Sequence, residues 1–399
     1  MVWDKENLVV PGFLTNGINV GIKDDGGKDL SLIFSEVPAV AAGVFTKNLF
    51  KAAPVILDME RIKKGVAQAI VANSGNANAA TGDRGYEDAL AMSEAVSAKL
   101  NIKDDLVLVA STGIIGQNLP LKKIKDGVDR LVEGLSPERI LSAEEAIMTT
   151  DTFPKVEYRK GHIDSREVTI CGIAKGAGMI EPNMATMLSF IMTDANISKR
   201  CLRSLFKQAV NCSFNSITVD GCMSTNDTAI ILANGVAGNK QIVGPSKNLT
   251  IFKEMLFSLM VDLSKSIVRD GEGATKLIEI VVDGAKTLQD AKKIAYGIAN
   301  SNLVKTAFFG EDPNWGRIVS AVGASGVELP TGKMELSIGG VPVFAGGKGA
   351  EVGENRLIKI MGDDHIRIVV KLGMGGKSVR IYTTDLSYDY IKINAHYRT

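Results

Sequence analysis

Short apolar runs alternate with stretches of helical periodicity along most of this chain, which confines it to folds in which sheets are covered by helices. Residues 66–72, VAQAIVA, read as a buried strand, and the turn-rich NSGNAN follows at 73–78. Asp83 stands where an N-cap would open a helix to about Leu100. Residues 106–110, LVLVA, read as a second strand ending at STG, 111–113. Ile124, Val128, Leu131 and Leu135 then recur at helical spacing. SAEE at 142–145 has capping-box form and predicts a helix that ends near 149–151. Further helical patterns cover 248–268, stopped by RDGEG, and 290–304. The last quarter is β-rich, with strands predicted at 366–372 and 378–384 on either side of GMGG. No fixed-period repeat or low-complexity linker interrupts the pattern. The fold class is α/β (α+β), with layered sheets covered by helices. The 399 residues suit two domains or one interleaved unit, at about 100–200 residues per domain.

Composition excludes several functions. The formal net charge is +1, so no global field attracts nucleic acid or an anionic membrane. Lysines and arginines read as scattered, without a basic stripe interleaved with aromatics. The longest apolar run, 37–45, holds Pro38 and Gly43 and is far short of a membrane span. The opening MVWDKENLVV has no basic segment followed by an apolar one, so no signal peptide is expected and the expected compartment is the cytoplasm. Cys171, Cys201, Cys212 and Cys222 form no CxxC pair, and no disulfide framework is expected. His162, His365 and His396 lie far apart without metal-ligand spacing, so no metal is expected.

The chain has 41 glycines, which calls for a test of phosphate loops. Gly347-Lys348 and Gly376-Lys377 lack the earlier glycine of a P-loop, having Pro342 and Lys371 in its place. Gly176-Ala-Gly178 runs into Pro182 and an apolar strand rather than a helix. Most of these glycines read as turns or close backbone approaches.

That leaves residues 172–195, GIAKGAGMIEPNMATMLSFIMTDA, where a glycine-rich, proline-broken loop meets a strand-like run opened by Thr186. Threonine favours strands on its own account. As a nucleophile, a threonine hydroxyl needs an adjacent base, and this chain has few histidines to offer. Cutting the chain before Thr186 would supply one. The freed α-amine has a pKa of about 7.7–8.0, close to the working pH of a general base. The β-methyl restricts χ1 and helps to hold Oγ in one orientation. The small Ala185 leaves its carbonyl open to an N-to-O acyl shift, which a strained loop would assist.

The run KGAGMIEPNMATMLSF closely resembles the self-cleavage segment of the glutamate/ornithine N-acetyltransferases of arginine biosynthesis. Other stretches agree in order along nearly the whole chain: NSGNANAATG (73–82), STGIIG (111–116), IMTTDT (147–152), SFNSITVDG (213–221), STND (224–227), RDGEGAT (269–275), DPNWGR (312–317) and NAHYRT (394–399). After Val219-Asp-Gly221 the family pattern favours aspartate and then threonine. Here Cys222-Met223 stand instead, which leaves fine substrate tuning open.

The resemblance implies the self-cleaving ornithine acetyltransferase/aminopeptidase fold, which is N-terminal-nucleophile-like. It implies cleavage between Ala185 and Thr186, giving an α-chain 1–185 and a β-chain 186–399 interleaved in one folded unit and assembled as α2β2 or larger. Thr186 would be the nucleophile, and Thr112 with the Gly113 N–H would form the oxyanion hole. Substrate contacts carried over fall on Thr149 (Thr150 is the adjacent alternative), Lys175, Thr186, Glu272, Asn394 and Thr399. The implied reaction carries acetyl from N2-acetyl-L-ornithine to L-glutamate by ping-pong transfer, without a cofactor. Acetyl-CoA is left open as a second donor. The rival readings are an aminopeptidase or amidase of related fold, with water as acceptor, and a metabolite-binding protein in which Thr186 merely begins a strand.

Overall fold

The computed structural model describes residues 8–181 and 187–396, the side chain of residue 354 apart. Two compact units divide these residues. The first comprises residues up to 215 together with 223–267, and the second comprises 216–222 together with 268 onward.

The first unit contains β1 (Phe13–Ile18), β2 (Leu30–Phe45), α1 (Ala53–Arg61), β3 (Val66–Asn76), α2 (Gly82–Leu100), β4 (Val107–Ile114), α3 (Leu121–Glu133), α4 (Ile140–Glu145), β5 (Lys155–Ile163), β6 (Arg166–Lys175), β7 (Leu188–Thr193), α5 (Lys199–Cys212), β8 (Thr228–Ala233) and, to Ile267, α6 (Lys247–Arg269). Its eight strands form one sheet in the order β4-β3-β2-β8-β7-β6-β5, with β1 paired to β2. The pairs β3/β4 and β7/β8 are parallel, because α2 and α5 carry the chain back between them.

Alternation along the strands separates two cores. Ile70, Ala72, Leu108 and Ala110 face one, together with Ile173 and Phe190. Ala69, Val71, Val107 and Val109 face the other, with α2 and α3. The pairing of β2 with β3 is irregular between Phe34 and Ala39, where Pro38 removes a ladder donor. Gly172 lies so close to α6 that a Cβ there would come within 2.8 Å of Leu259 and Leu263.

The second unit contains β9 (Leu277–Ala285), α7 (Leu288–Ala299), α8 (Asn302–Phe309), α9 (Trp315–Gly323), β10 (Glu335–Ile338), β11 (Val341–Ala345), β12 (Lys348–Gly349), α10 (Glu354–Met361), β13 (His365–Lys371), β14 (Lys377–Thr384) and α11 (Tyr388–His396). Its sheet runs β12-β11-β10-β13-β9-β14. Ile278, Ile280 and Val282 point to a core shared with α7, α9 and α10. Glu279 points the other way and pairs with Arg367 and Arg380.

The architecture is the expected one of layered sheets and helices, with local corrections. The strand expected at 66–72, β3, runs on to Asn76, through residues expected to turn. Thr81, not Asp83, is the N-cap of α2. The capping-box reading of SAEE fails: α4 already begins at Ile140, and the Ser142 hydroxyl accepts from Lys28 Nζ at 2.9 Å instead of capping. The chain leaves that helix after Glu145 to bury Ile147. The single helix expected at 290–304 is two, because the Ser301 hydroxyl accepts from the Val304 N–H and starts α8 afresh.

Phe190 is fully buried in β7. Phe190→Ala should destabilise the protein by about 3–5 kcal/mol. The check is a urea midpoint that moves down with little change in slope.

Candidate active site

β3 and β4 run parallel to their ends, with Ser74 beside Thr112 and Gly75 beside Gly113. Gly113 has φ +132°, and a Cβ there would sit 2.4 Å from the Gly75 carbonyl carbon. Only glycine fits, for conformation and for space. Beside it the Thr112 side chain is held nearly buried. Asn226 ties this strand end to the chain before β8, its Nδ2 donating to the carbonyls of Ser111 at 2.8 Å and Ala77 at 2.6 Å.

Lys175 ends β6 and is 3% exposed. Its ammonium donates to Thr149 Oγ1 at 2.7 Å and lies 3.4 Å from Thr112 Oγ1. An ammonium can only donate, so both hydroxyl oxygens accept from it and keep their own protons for other partners. Behind it lies Asp151, with a fully buried side chain. The Asp151 carboxylate is 3.8 Å from Lys175 Nζ and 2.7 Å from the Nζ of the equally buried Lys155. It also accepts the N–H groups of Thr149 at 2.9 Å and Gly176 at 2.6 Å. Burial works to raise its pKa, but the ammoniums of Lys175 and Lys155 and these N–H donors outweigh burial and hold the carboxyl well below the usual range.

Two further acids surround this cluster. Glu144 accepts the Lys155 N–H at 3.0 Å through Oε1, while Oε2 has no partner among the described residues. Burial, with a smaller push from the charge of Asp151, raises it to about 8. Asp227 is also fully buried. Its Oδ1 accepts the N–H of Met187 at 3.1 Å, and the Met187 carbonyl accepts from the Thr228 N–H at 3.1 Å. Burial pushes the Asp227 carboxyl well above its ordinary range, against the Met187 bond and the charge of Lys175. The residue that follows Thr186 is thus fixed on both its amide and its carbonyl.

The second unit holds another polar group. Asn394 Nδ2 donates to Glu272 Oε2 at 2.7 Å, and Gly273 (φ +67°) lies against the start of α11. Nearby, Tyr390 Oη donates to Asp220 at 3.3 Å. Burial, together with the negative charge of Asp220, raises the Tyr390 pKa.

The expected residues Thr112, Thr149 and Lys175 therefore meet in one unit, with Gly113 next in chain, and Glu272 and Asn394 meet in the other. Thr150 makes no hydrogen bond to this cluster among the described residues, whereas Thr149 does. Ala185, Thr186 and Thr399 lie outside the described residues. Sequence reasoning missed Asp151, Lys155 and Asp227. The aspartates sat inside stretches already singled out, IMTTDT and STND, and the Asp151/Lys155 spacing of four was the one local signal of a pair.

The ArgJ family model matches residues 14–399. The chain belongs to the ArgJ family. It is 50% identical over 395 residues to the arginine biosynthesis bifunctional protein ArgJ of Geobacter sulfurreducens, covering 98% of this chain and all of that one. It is 45% identical over 402 residues to that of Symbiobacterium thermophilum, covering both in full. Among solved structures, the arginine biosynthesis bifunctional protein argJ of Bacillus halodurans is 40% identical with a TM-score of 0.51. That match spans the whole of the solved chain but only 53% of this one. Within this family member, no helix is long and apolar enough to cross a membrane among the described residues.

The environment of Glu144 has a measurable consequence. Between its ordinary pKa of about 4.3 and its folded value of about 8, the unfolded chain releases a proton that the folded chain keeps. Stability from this group therefore falls as pH rises through that window. Urea unfolding of Glu144→Gln should show an advantage over the wild type that grows from pH 5 to pH 8. An advantage independent of pH would overturn the assignment.

Proposed function

We propose that this chain is the acetyltransferase of arginine biosynthesis that makes N-acetyl-L-glutamate, taking acetyl from N2-acetyl-L-ornithine through an acetyl-Thr186 intermediate. Membership of the ArgJ family over nearly the full length carries this reading. The convergence of Thr112, Thr149 and Lys175 on one point supports it. So does the solved relative whose entire chain matches about half of this one, since a chain 186–399 would be a little over half of the sequence.

Self-cleavage comes first. Thr186 Oγ attacks the Ala185 carbonyl, the acyl group shifts from N to O and so frees the Thr186 amine, and water then hydrolyses the ester to release the Ala185 carboxylate and restore the Thr186 hydroxyl. That amine then takes the proton from Oγ as Oγ attacks the acetyl carbonyl of N2-acetylornithine. Charge develops on the carbonyl oxygen, where the Thr112 O–H and the Gly113 N–H donate. The proximity of Lys175 suits this role, because a Thr112 oxygen that accepts from an ammonium becomes a better donor. Ornithine leaves with the proton held by the Thr186 ammonium. The α-amine of glutamate attacks the acetyl ester, Thr186 Oγ recovers a proton, and N-acetylglutamate departs. Lys175 suits a substrate carboxylate, and Glu272 suits a side-chain ammonium. Thr149 and Asn394, hydrogen-bonded to these two charges, orient them. Thr399 completes the contacts carried over. No metal or cofactor is needed, acetyl-CoA is left open as a second donor, the cleaved chains assemble as α2β2 or larger, and the enzyme works in the cytoplasm.

A denaturing gel and an exchange assay test this reading together. Wild-type protein should run as two bands, and Thr186→Ala as one band without activity. Thr112→Ala should lower kcat by about 100–1000-fold, the loss of one oxyanion donor. Acetate released without glutamate, at the rate seen with it, would favour the amidase reading instead.

A further inference from the structure

The first unit contains a cavity of about 750 Å³ that the chemistry above does not use. It lies where the end of α1 and the turn after it face the first half of α5 across the last residues of β2. Six cations line it: Lys63, Lys64, Lys199, Arg200, Arg203 and Lys207. No carboxylate lines it. Lys64 pairs with Asp105, and Lys199 Nζ donates to the Lys64 carbonyl at 3.0 Å. Lys63, Arg200, Arg203 and Lys207 make no ion pair with a described residue, and all four are exposed. The sequence reading of scattered cations is corrected here. On α5, residues 199, 200, 203 and 207 fall on one face, and folding sets Lys63 and Lys64 opposite.

The floor of the cavity is apolar. Phe45, Met59 and Ile62 form it, with Met59 39% exposed. Gly43 makes the floor flat. A Cβ there would lie 2.8 Å from the Phe45 ring, which occupies that space and presents an aromatic surface. The start of α5, capped by Ser198, adds the partial positive charge of a helix N-terminus. In a chain of net charge +1, six cations around an apolar floor are a local concentration of charge, not a reflection of composition. The volume suits one organic ligand.

We propose that this cavity binds an organic polyphosphate, a ligand with several phosphate groups joined to a ring-bearing apolar portion, the class shared by nucleoside diphosphates and coenzyme A. The phosphates pair with Arg200, Arg203, Lys207 and Lys63, and the apolar portion packs on Phe45 and Met59. Arginine suits the role because its planar guanidinium engages phosphate oxygens two at a time. No glycine-rich phosphate loop announces the site, because its halves lie more than 130 residues apart and meet only on folding.

Equilibrium dialysis of the full chain tests this with ADP, coenzyme A, inorganic pyrophosphate and a single-stranded DNA oligonucleotide as probes. ADP and coenzyme A should each bind at least ~10-fold tighter than pyrophosphate, and more weakly as salt rises. Tighter binding of coenzyme A than of ADP would mean that the portion beyond the nucleotide is also read, and equal binding that it is not. The double variant Arg200→Gln, Arg203→Gln should weaken both at least ~10-fold. Phe45→Ala should weaken both and leave pyrophosphate unchanged. An unchanged melting temperature shows that each variant is folded; if Phe45→Ala is not, Met59→Ala replaces it. None of these readouts depends on acetyl transfer. The proposal is overturned if neither organic ligand binds at millimolar concentration, if the double variant binds as the wild type does, if pyrophosphate binds as tightly as the organic ligands, or if only the oligonucleotide binds.

Discussion

The Asp151 carboxylate is the point on which the candidate site depends. A buried carboxylate is tolerable only when charge and hydrogen bonds replace its water, and Lys155, Lys175 and two backbone N–H groups do so here. The partners belong to two stretches of chain, 149–155 and 175–176. Lys155 begins β5, Lys175 ends β6, Gly176 starts the loop that leads to the expected cleavage point, and Thr149 sits in the turn after α4. One acid therefore locks the turn that leads into β5 against the end of β6. Its charge also faces the Lys175 ammonium, which stays within reach of Thr149 and Thr112.

The sheet makes that meeting geometrically available. Thr112 lies on β4 and Lys175 on β6, with β3, β2, β8 and β7 between them in the strand order. In a flat sheet strands lie about 4.8 Å apart, so these residues would be too distant for a 3.4 Å approach. The side chains of β4 and β6 instead pack into one shared core, with Leu108 and Ala110 from one and Cys171 and Ile173 from the other. The sheet therefore folds over on itself, and the irregular stretch of β2 around Pro38 is where its ladder is interrupted. Asn226 fastens the strand end across the fold, and Asp227 beside it fastens Met187.

Much of this was legible in the sequence, and what was not has identifiable causes. The strands at 66 and 107 and the helices at 82 and 247 follow from periodicity, since apolar spacing reports burial directly. The SAEE motif misled because Lys28, distant in sequence, claims the Ser142 hydroxyl. The helix expected over 290–304 misled because apolar periodicity continues across a serine cap that divides it. Thr112, Thr149, Lys175, Glu272 and Asn394 were singled out by resemblance to a family rather than by any property of their neighbours. Asp151 and Asp227 passed as ordinary loop acids, because a carboxylate in a sequence carries no mark of how deeply it will be buried.

The sequence by itself determined the layered α/β class, the absence of phosphate-loop spacing and the membership in one acetyltransferase family, because periodicity and ordered motifs survive in one dimension. Only the tertiary structure decided which charges face one another. It buried Asp151 between two lysines and placed Lys175 against Thr112. It also gathered six scattered cations around an apolar floor. Electrostatic effects depend on distance and on exclusion of water, and neither is defined until the chain has folded.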